Sequence, residues 1–157
     1  MRRWVRLAAS LVLAAGLVTA GATSASAAIP AASNRPAACT GTAQITSFVF
    51  VPPSVPAGGS STATLSARNC TRQTVQTTTT WFGRFLGPTV GIPTGCPAID
   101  PLPRPLKFPP RASVSVATTY LTFPSCTATA LQITVRITDS TGTLLATATA
   151  TLIIQQP

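Results

Sequence analysis

The side chains that could move a proton or hold a metal are few: four cysteines, two aspartates, one lysine and no histidine in 157 residues. A Ser-His-Asp triad and a Cys-His pair both need an imidazole base, which the chain lacks. A glycosidase needs two facing carboxyl groups. The only acids are Asp100, in a proline-rich stretch, and Asp139, which opens Asp139-Ser140-Thr141-Gly142. Asp first and Gly last is a turn signature, so Asp139 reads as a turn residue. Calcium takes six to eight oxygens, more than two isolated aspartates supply. A Ser-Lys dyad would have to use Lys107, set between Leu106 and Phe108. Gly58-Gly59 leads into an expected strand, not a helix, so it is no phosphate loop. The expectation is a protein without catalytic machinery, cofactor or metal.

The cysteines fit structure better than chemistry. Zinc sites favour close Cys pairs, and the gaps between Cys39, Cys70, Cys96 and Cys126 are 31, 26 and 30 residues. An even number of cysteines in an exported chain points to disulfides. Export itself is written at the start: Arg2, Arg3 and Arg6, an uncharged apolar run from Leu7 to Ala20, then Ala25-Ser26-Ala27. That order is a secretory signal peptide, residues 1–27, cleaved after Ala27. Residues 28–38 read as a flexible leader. No later stretch approaches the roughly 20 apolar residues of a membrane helix. Removing 27 residues and three arginines leaves 130 residues with a net charge of +6, enough for one domain, residues 39–157. The expected location is extracellular.

Elements must now position these groups. Threonine occurs 27 times, and its branched Cβ favours strands over helices. Period-two alternation marks strands at Ala43–Val51, Ser61–Asn69, Gln73–Leu86, Ala112–Phe123, Ala130–Thr138 and Thr143–Ile154. A seventh is possible near Pro105–Phe108. Pro52-Pro53 and Ala57-Gly58-Gly59 read as a turn. Val75, Trp81 and Phe85 share one face, as do Leu131, Ile133, Val135 and Ile137. Leu144, Ala146, Ala148, Ala150, Leu152 and Ile154 share another. The fold class is all-β, an antiparallel sandwich of about seven strands, with a barrel as the alternative. If strands alternate up and down, Cys39 and Cys70 lie at one pole and Cys96 and Cys126 at the other. The expected disulfides are therefore Cys39–Cys70 and Cys96–Cys126.

Val51–Thr71 (VPPSVPAGGSSTATLSARNCT) resembles the opening of bacterial secreted immunoglobulin-like domains of the adhesion-related and fibronectin-III-like kind. Leu131–Ile154 is similar to their closing hairpin. The resemblance implies an immunoglobulin-like sandwich and a non-catalytic extracellular module. The alanine, threonine and arginine bias looks like that of exported proteins of high-GC actinobacteria.

Several features are candidates for binding. Eight of the 15 prolines fall between Pro88 and Pro110. Proline favours polyproline II, in which Arg104 and Lys107, three apart, share a face. With Arg111 they would make a stiff basic loop, residues 96–111, for an anionic cell-wall polymer, a polysaccharide or an extracellular protein. The competing reading is a cover over a sheet edge, with Leu102, Leu106 and Phe108 turned inward. Phe82 beside Arg84 would form an outward aromatic-cationic patch. Trp81 is expected in the core. The outward threonines Thr147, Thr149 and Thr151 are explained by β-propensity. The arginines are scattered rather than striped, which disfavours nucleic acid. Finally, Cys-Pro-x-x-Asp-Pro (Cys96–Pro101) is similar to the reactive loop of Streptomyces-type subtilisin inhibitors. That resemblance implies a scissile bond at Ala98–Ile99, although one residue is missing before the Asp-Pro. The chain is thus read as a secreted binding or adhesion module, with a rigid-loop protease inhibitor or a structural envelope protein as alternatives.

Overall fold

The computed structural model describes residues 38–87 and 92–157. The signal peptide and all but the last leader residue lie outside them. The described residues form eight strands: β1 (Ala43–Val51), β2 (Ser54–Pro56), β3 (Ser60–Asn69), β4 (Val75–Leu86), β5 (Leu102–Phe108), β6 (Ser113–Leu121), β7 (Ala130–Asp139) and β8 (Leu144–Gln155). One sheet has the order β1-β3-β6 and the other β2-β8-β7-β4-β5. Only the short β2 pairs parallel, along β8.

Alternation decides which faces meet. Leu131, Ile133, Val135 and Ile137 of β7 are fully buried, and so are Ala63, Leu65 and Ala67 of β3. Both sheets contribute to one apolar core. Burying each larger aliphatic side chain contributes about 1.5–3 kcal/mol. The small alanines of β3 leave room for aromatic residues beside them. Trp81 of β4 is 3 % exposed and meets Phe48 of β1 edge-on, with ring centroids 5.3 Å apart. That pair bridges the two sheets.

The strand count is eight, not seven, and the difference is instructive. Ser54–Pro56, expected within a turn, pairs with Ile153–Gln155. Val55 is the reason: it is buried at 5 % exposure and anchors the segment. Backbone bonds from Ile153 N to Pro53 O and from Ala57 N to Gln155 O, both 3.0 Å, close its ends.

The proline-rich stretch carries the seventh strand expected near Pro105–Phe108 and departs from polyproline II. Leu102–Phe108 is an edge strand on β4, with Pro103 opposite Thr80 and Pro105 opposite Thr78. An edge strand tolerates proline because its outer N–H groups have no ladder partner. In a period of two, Arg104 and Lys107 take opposite faces, not the shared face of a polyproline helix. Phe108 is fully buried, whereas Leu102 is 57 % exposed. A second phase error lies in β8. The register shifts between Ile137 and Thr138. Leu145 therefore packs on the core, and Leu144, expected inward, is exposed. A bulge inserts one residue and reverses every inference from alternation beyond it.

The structure joins Cys39 to Cys70 and Cys96 to Cys126, the pairs that strand alternation requires. With sequence separations of 31 and 30, each contributes about 3–4 kcal/mol in the chain-entropy account. The first ties the approach to β1 to the end of β3. The second ties the β4–β5 loop to the β6–β7 connection.

Beside the first disulfide sits Asn69, fully buried. Its Nδ2 donates to the carbonyls of Gln73 (2.7 Å), Pro109 (3.0 Å) and Phe108 (3.2 Å). Its Oδ1 accepts from Thr71 N and Thr71 Oγ1, each 2.8 Å. One amide thus fastens the β3–β4 turn to the β5–β6 corner.

Candidate functional site

Two surfaces bring functional side chains together. The first is the outer face of the five-stranded sheet. Pairing sets three rows across β4, β7 and β8: Thr80, Arg136, Thr147; Phe82, Thr134, Thr149; and Arg84, Gln132, Thr151. A groove of about 390 Å³ is lined by Phe82, Gly83, Arg84, Gln132, Thr134 and Arg136. Arg84 Nε donates to Gln132 Oε1 at 2.8 Å. The Arg136 guanidinium lies 5.2 Å from the centroid of the Phe82 ring. Each arginine is therefore held by a neighbour while its remaining N–H groups face solvent. The lining includes no carboxylate. Because Arg136 covers Phe82, the ring positions a cation rather than offering its face to a sugar. This arrangement suits anions.

The second surface is a cleft of about 270 Å³ between the two sheets. Its walls come from β4 (Trp81), β5 (Leu102, Arg104), β6 (Thr118 to Leu121), the 97–100 segment and Phe123. Arg104 shares the inward parity of Leu106 and Phe108, so its side chain enters the inter-sheet space. There its Nη1 donates to Thr118 Oγ1 at 3.0 Å, reaching from one sheet to the other. Burial pushes the Tyr120 phenol above its ordinary pKa, and nearby Arg104 partly offsets this. Tyr120 is therefore a neutral phenol at physiological pH. The indole Nε1–H of Trp81 is buried and has no hydrogen-bond partner among the described residues. Leaving such a donor unsatisfied costs about 1–3 kcal/mol.

The loop wall of this cleft is fixed by two glycines. A Cβ on Gly83 would stand 2.6 Å from Ile99 Cγ2, so the missing side chain is what lets Ile99 lie on β4. Gly95 has φ of 68°, and a Cβ there would come within 2.2 Å of Ser125 O. The Cys96–Cys126 bond and the Thr127 N to Thr94 O bond of 3.0 Å hold the two connections together.

The basic group expected on loop 96–111 is not brought together. Arg104 enters the cleft. Lys107 is exposed on the opposite face of β5, and Arg111 stands in the β5–β6 turn at φ 58°. Of the pair implied for a reactive loop, Ala98 is exposed and Ile99 packs on the core. Asp139 serves its turn: its Oδ1 accepts from Thr141 Oγ1 (2.6 Å), Thr141 N (2.9 Å) and Thr143 N (2.9 Å). These bonds hold its carboxyl below the usual carboxylate range, the Thr141 side-chain bond first among them. Phe82 and Arg84 do share a surface, which gains Gln132 from β7; Arg136 also belongs to it, and its outward parity was legible. The roles of Tyr120 and Phe123 were missed, because sequence alternation does not show which edges of two sheets face each other. Among the described residues, no group of three or more His, Cys, Asp or Glu is placed to hold a metal. No helix among them is long and apolar enough to cross a membrane.

No family model matches the chain, and no curated protein sequence does. Solved structures align with the chain at low identity. The DNA-bound alkylpurine DNA glycosylase AlkC of Pseudomonas fluorescens aligns with TM-score 0.51 and 10 % identity over 73 % of this chain. The chain spans about a third of that protein, 31 %. A FixG-related protein from Vibrio parahaemolyticus gives TM-score 0.48 and 14 % identity, covering 74 % of this chain and 99 % of that one. A Niemann-Pick type C2 protein from the Japanese carpenter ant gives 0.45 and 11 %, covering 74 % and 96 %.

Proposed function

We propose that the protein is a secreted, non-catalytic binding module whose outer five-stranded face takes an anionic cell-wall polymer or polysaccharide. One observation carries the reading: two guanidinium groups, braced by Phe82 and Gln132, flank a groove without a carboxylate. Two disulfides support export, since such bonds persist in oxidising compartments. An immunoglobulin-like sandwich is supported by the strand partition. With β1, β3, β4, β6, β7 and β8 as A, B, C, E, F and G, the sheets are A-B-E and C-F-G, with β5 beside C. Trp81 on C packs in the core as in that architecture. The absence of histidine and the turn role of Asp139 support a module without turnover. Protease inhibition takes no support from the packing of Ile99, the residue that would follow the scissile bond.

The test is retention of the folded protein on immobilised polyuronate and on a polyphosphodiester, with a neutral glucan as control. Retention on the anionic polymers should fall with salt. The double variant Arg84→Gln/Arg136→Gln should lose roughly tenfold in affinity, as two exposed ion pairs allow. Equal retention on the neutral glucan, or an unchanged double variant, overturns the proposal.

A further inference from the structure

The inter-sheet cleft is a second site, separate from the outer face. Three features set its ligand chemistry. The volume of about 270 Å³ suits a body of roughly ten heavy atoms, given that a dry cavity of ~150 Å³ takes benzene. The walls are largely apolar and aromatic, with Trp81, Tyr120, Phe123 and Leu102 among them. Leu102, Leu121 and Phe123 keep 57, 54 and 42 % of their surface exposed at the rim.

The polar groups are few and mostly donors. Arg104 spends one N–H on Thr118 and keeps the others. The Trp81 indole N–H is buried and unpartnered. Leu102 lies directly opposite Trp81 and Arg104 opposite Thr79, so Arg104 and Trp81 are diagonal neighbours on the inward face. Such neighbours have Cα atoms about 7–8 Å apart, so the guanidinium stem and the indole ring rise side by side on that face. Asp100 also lines the cleft but is exposed. It opposes a second negative charge and so favours a monoanion.

We propose that this cleft binds a small aromatic monocarboxylate, its ring against Trp81, Tyr120 and Phe123 and its carboxylate on Arg104. Apolar walls with a few converging polar groups are the common form of a small-molecule site. An arginine at the cleft supplies the charge-assisted bond that an isolated carboxylate needs on leaving water.

Calorimetric titration of the full chain with 3-phenylpropionate tests this, with 3-phenylpropanol as the neutral probe. The expected result is one site per chain with Kd below about 1 mM. The alcohol and the Arg104→Gln variant should each bind roughly tenfold more weakly. Asp100→Asn should tighten binding by about two- to threefold. The indole N–H resonance of Trp81, assigned with Trp4→Phe, should shift on saturation. Thermal melts establish that the variants are folded, and the neutral probe needs no variant. No saturation up to about 10 mM, equal affinity for acid and alcohol, or a stationary Trp81 resonance would overturn the proposal.

Discussion

The outer face of the five-stranded sheet and the inter-sheet cleft both present arginine, yet they use it differently. Arg84 and Arg136 stand in water on a β-surface, each steadied by one neighbour. Arg104 lies between two sheets, tethered to Thr118 and close to aromatic rings. Charge in high dielectric is weak and salt-screened, so binding at the open face would need many contacts along a polymer. In the cleft each contact would be stronger and less screened, so a single small anion would suffice. On the two proposals made here, one side-chain type would serve two recognition modes according to where the sheet register places it.

The largest expected effects separate the two regions by their supports. Asn69→Ala orphans carbonyls of Gln73, Phe108 and Pro109 and should cost about 3 kcal/mol, read as a drop in the chemical-denaturation midpoint. Both surfaces should weaken only as the fold does. Breaking the Cys96–Cys126 bond with Cys96→Ser/Cys126→Ser should cost a similar ~3 kcal/mol, but selectively. Cleft titration should fail under conditions in which polymer retention persists. If the two functions decline together, the regions are not independent. Gly83→Ala is the sharper version. It displaces Ile99 from β4 at about 1–3 kcal/mol and should disturb the cleft wall while Arg84 and Gln132 keep their bond.

Salt gives an effect of intermediate size. Between about 0.05 and 0.5 M the screening length falls severalfold, and polymer retention should fall with it far more than carboxylate affinity in the cleft. Equal salt dependence would erase the distinction drawn above. The smallest effect concerns acid. Asp139 has its pKa lowered by the fold. Its contribution is therefore present above the ordinary carboxylate value and lost as pH falls through the folded one. Being exposed, it should give a shallow slope, absent in Asp139→Asn, in melting temperature against acid pH. Neither binding surface should respond to that substitution at neutral pH.

Much of the fold was legible because alternation is a strong signal where strands are regular. β7 reads directly from Leu131 to Ile137, and the disulfides follow from counting strands. Trp81 inward with Phe82 and Arg84 outward follows from the same parity. The failures share a physical cause: each depends on pairing with a distant segment. The bulge that turns Leu144 out and Leu145 in is a register event between two strands. The short β2 exists because β8 offers an edge to Val55. Proline content made 96–111 look like polyproline II, but β4 supplied a ladder along which Pro103 and Pro105 could lie. That pairing split Arg104 from Lys107 and sent Arg104 to Thr118, on a strand of the other sheet. Asn69 read only as the end of a strand; the fold shows that five of its side-chain hydrogen bonds close a corner.

The two prolines of β5 have one more consequence. A free sheet edge is a template on which a second molecule can continue the ladder, and repeated addition ends in fibres. Pro103 and Pro105 contribute no N–H to such growth. The five-stranded layer is therefore blunted on that side, and the flank beside the cleft resists stacking by its own kind.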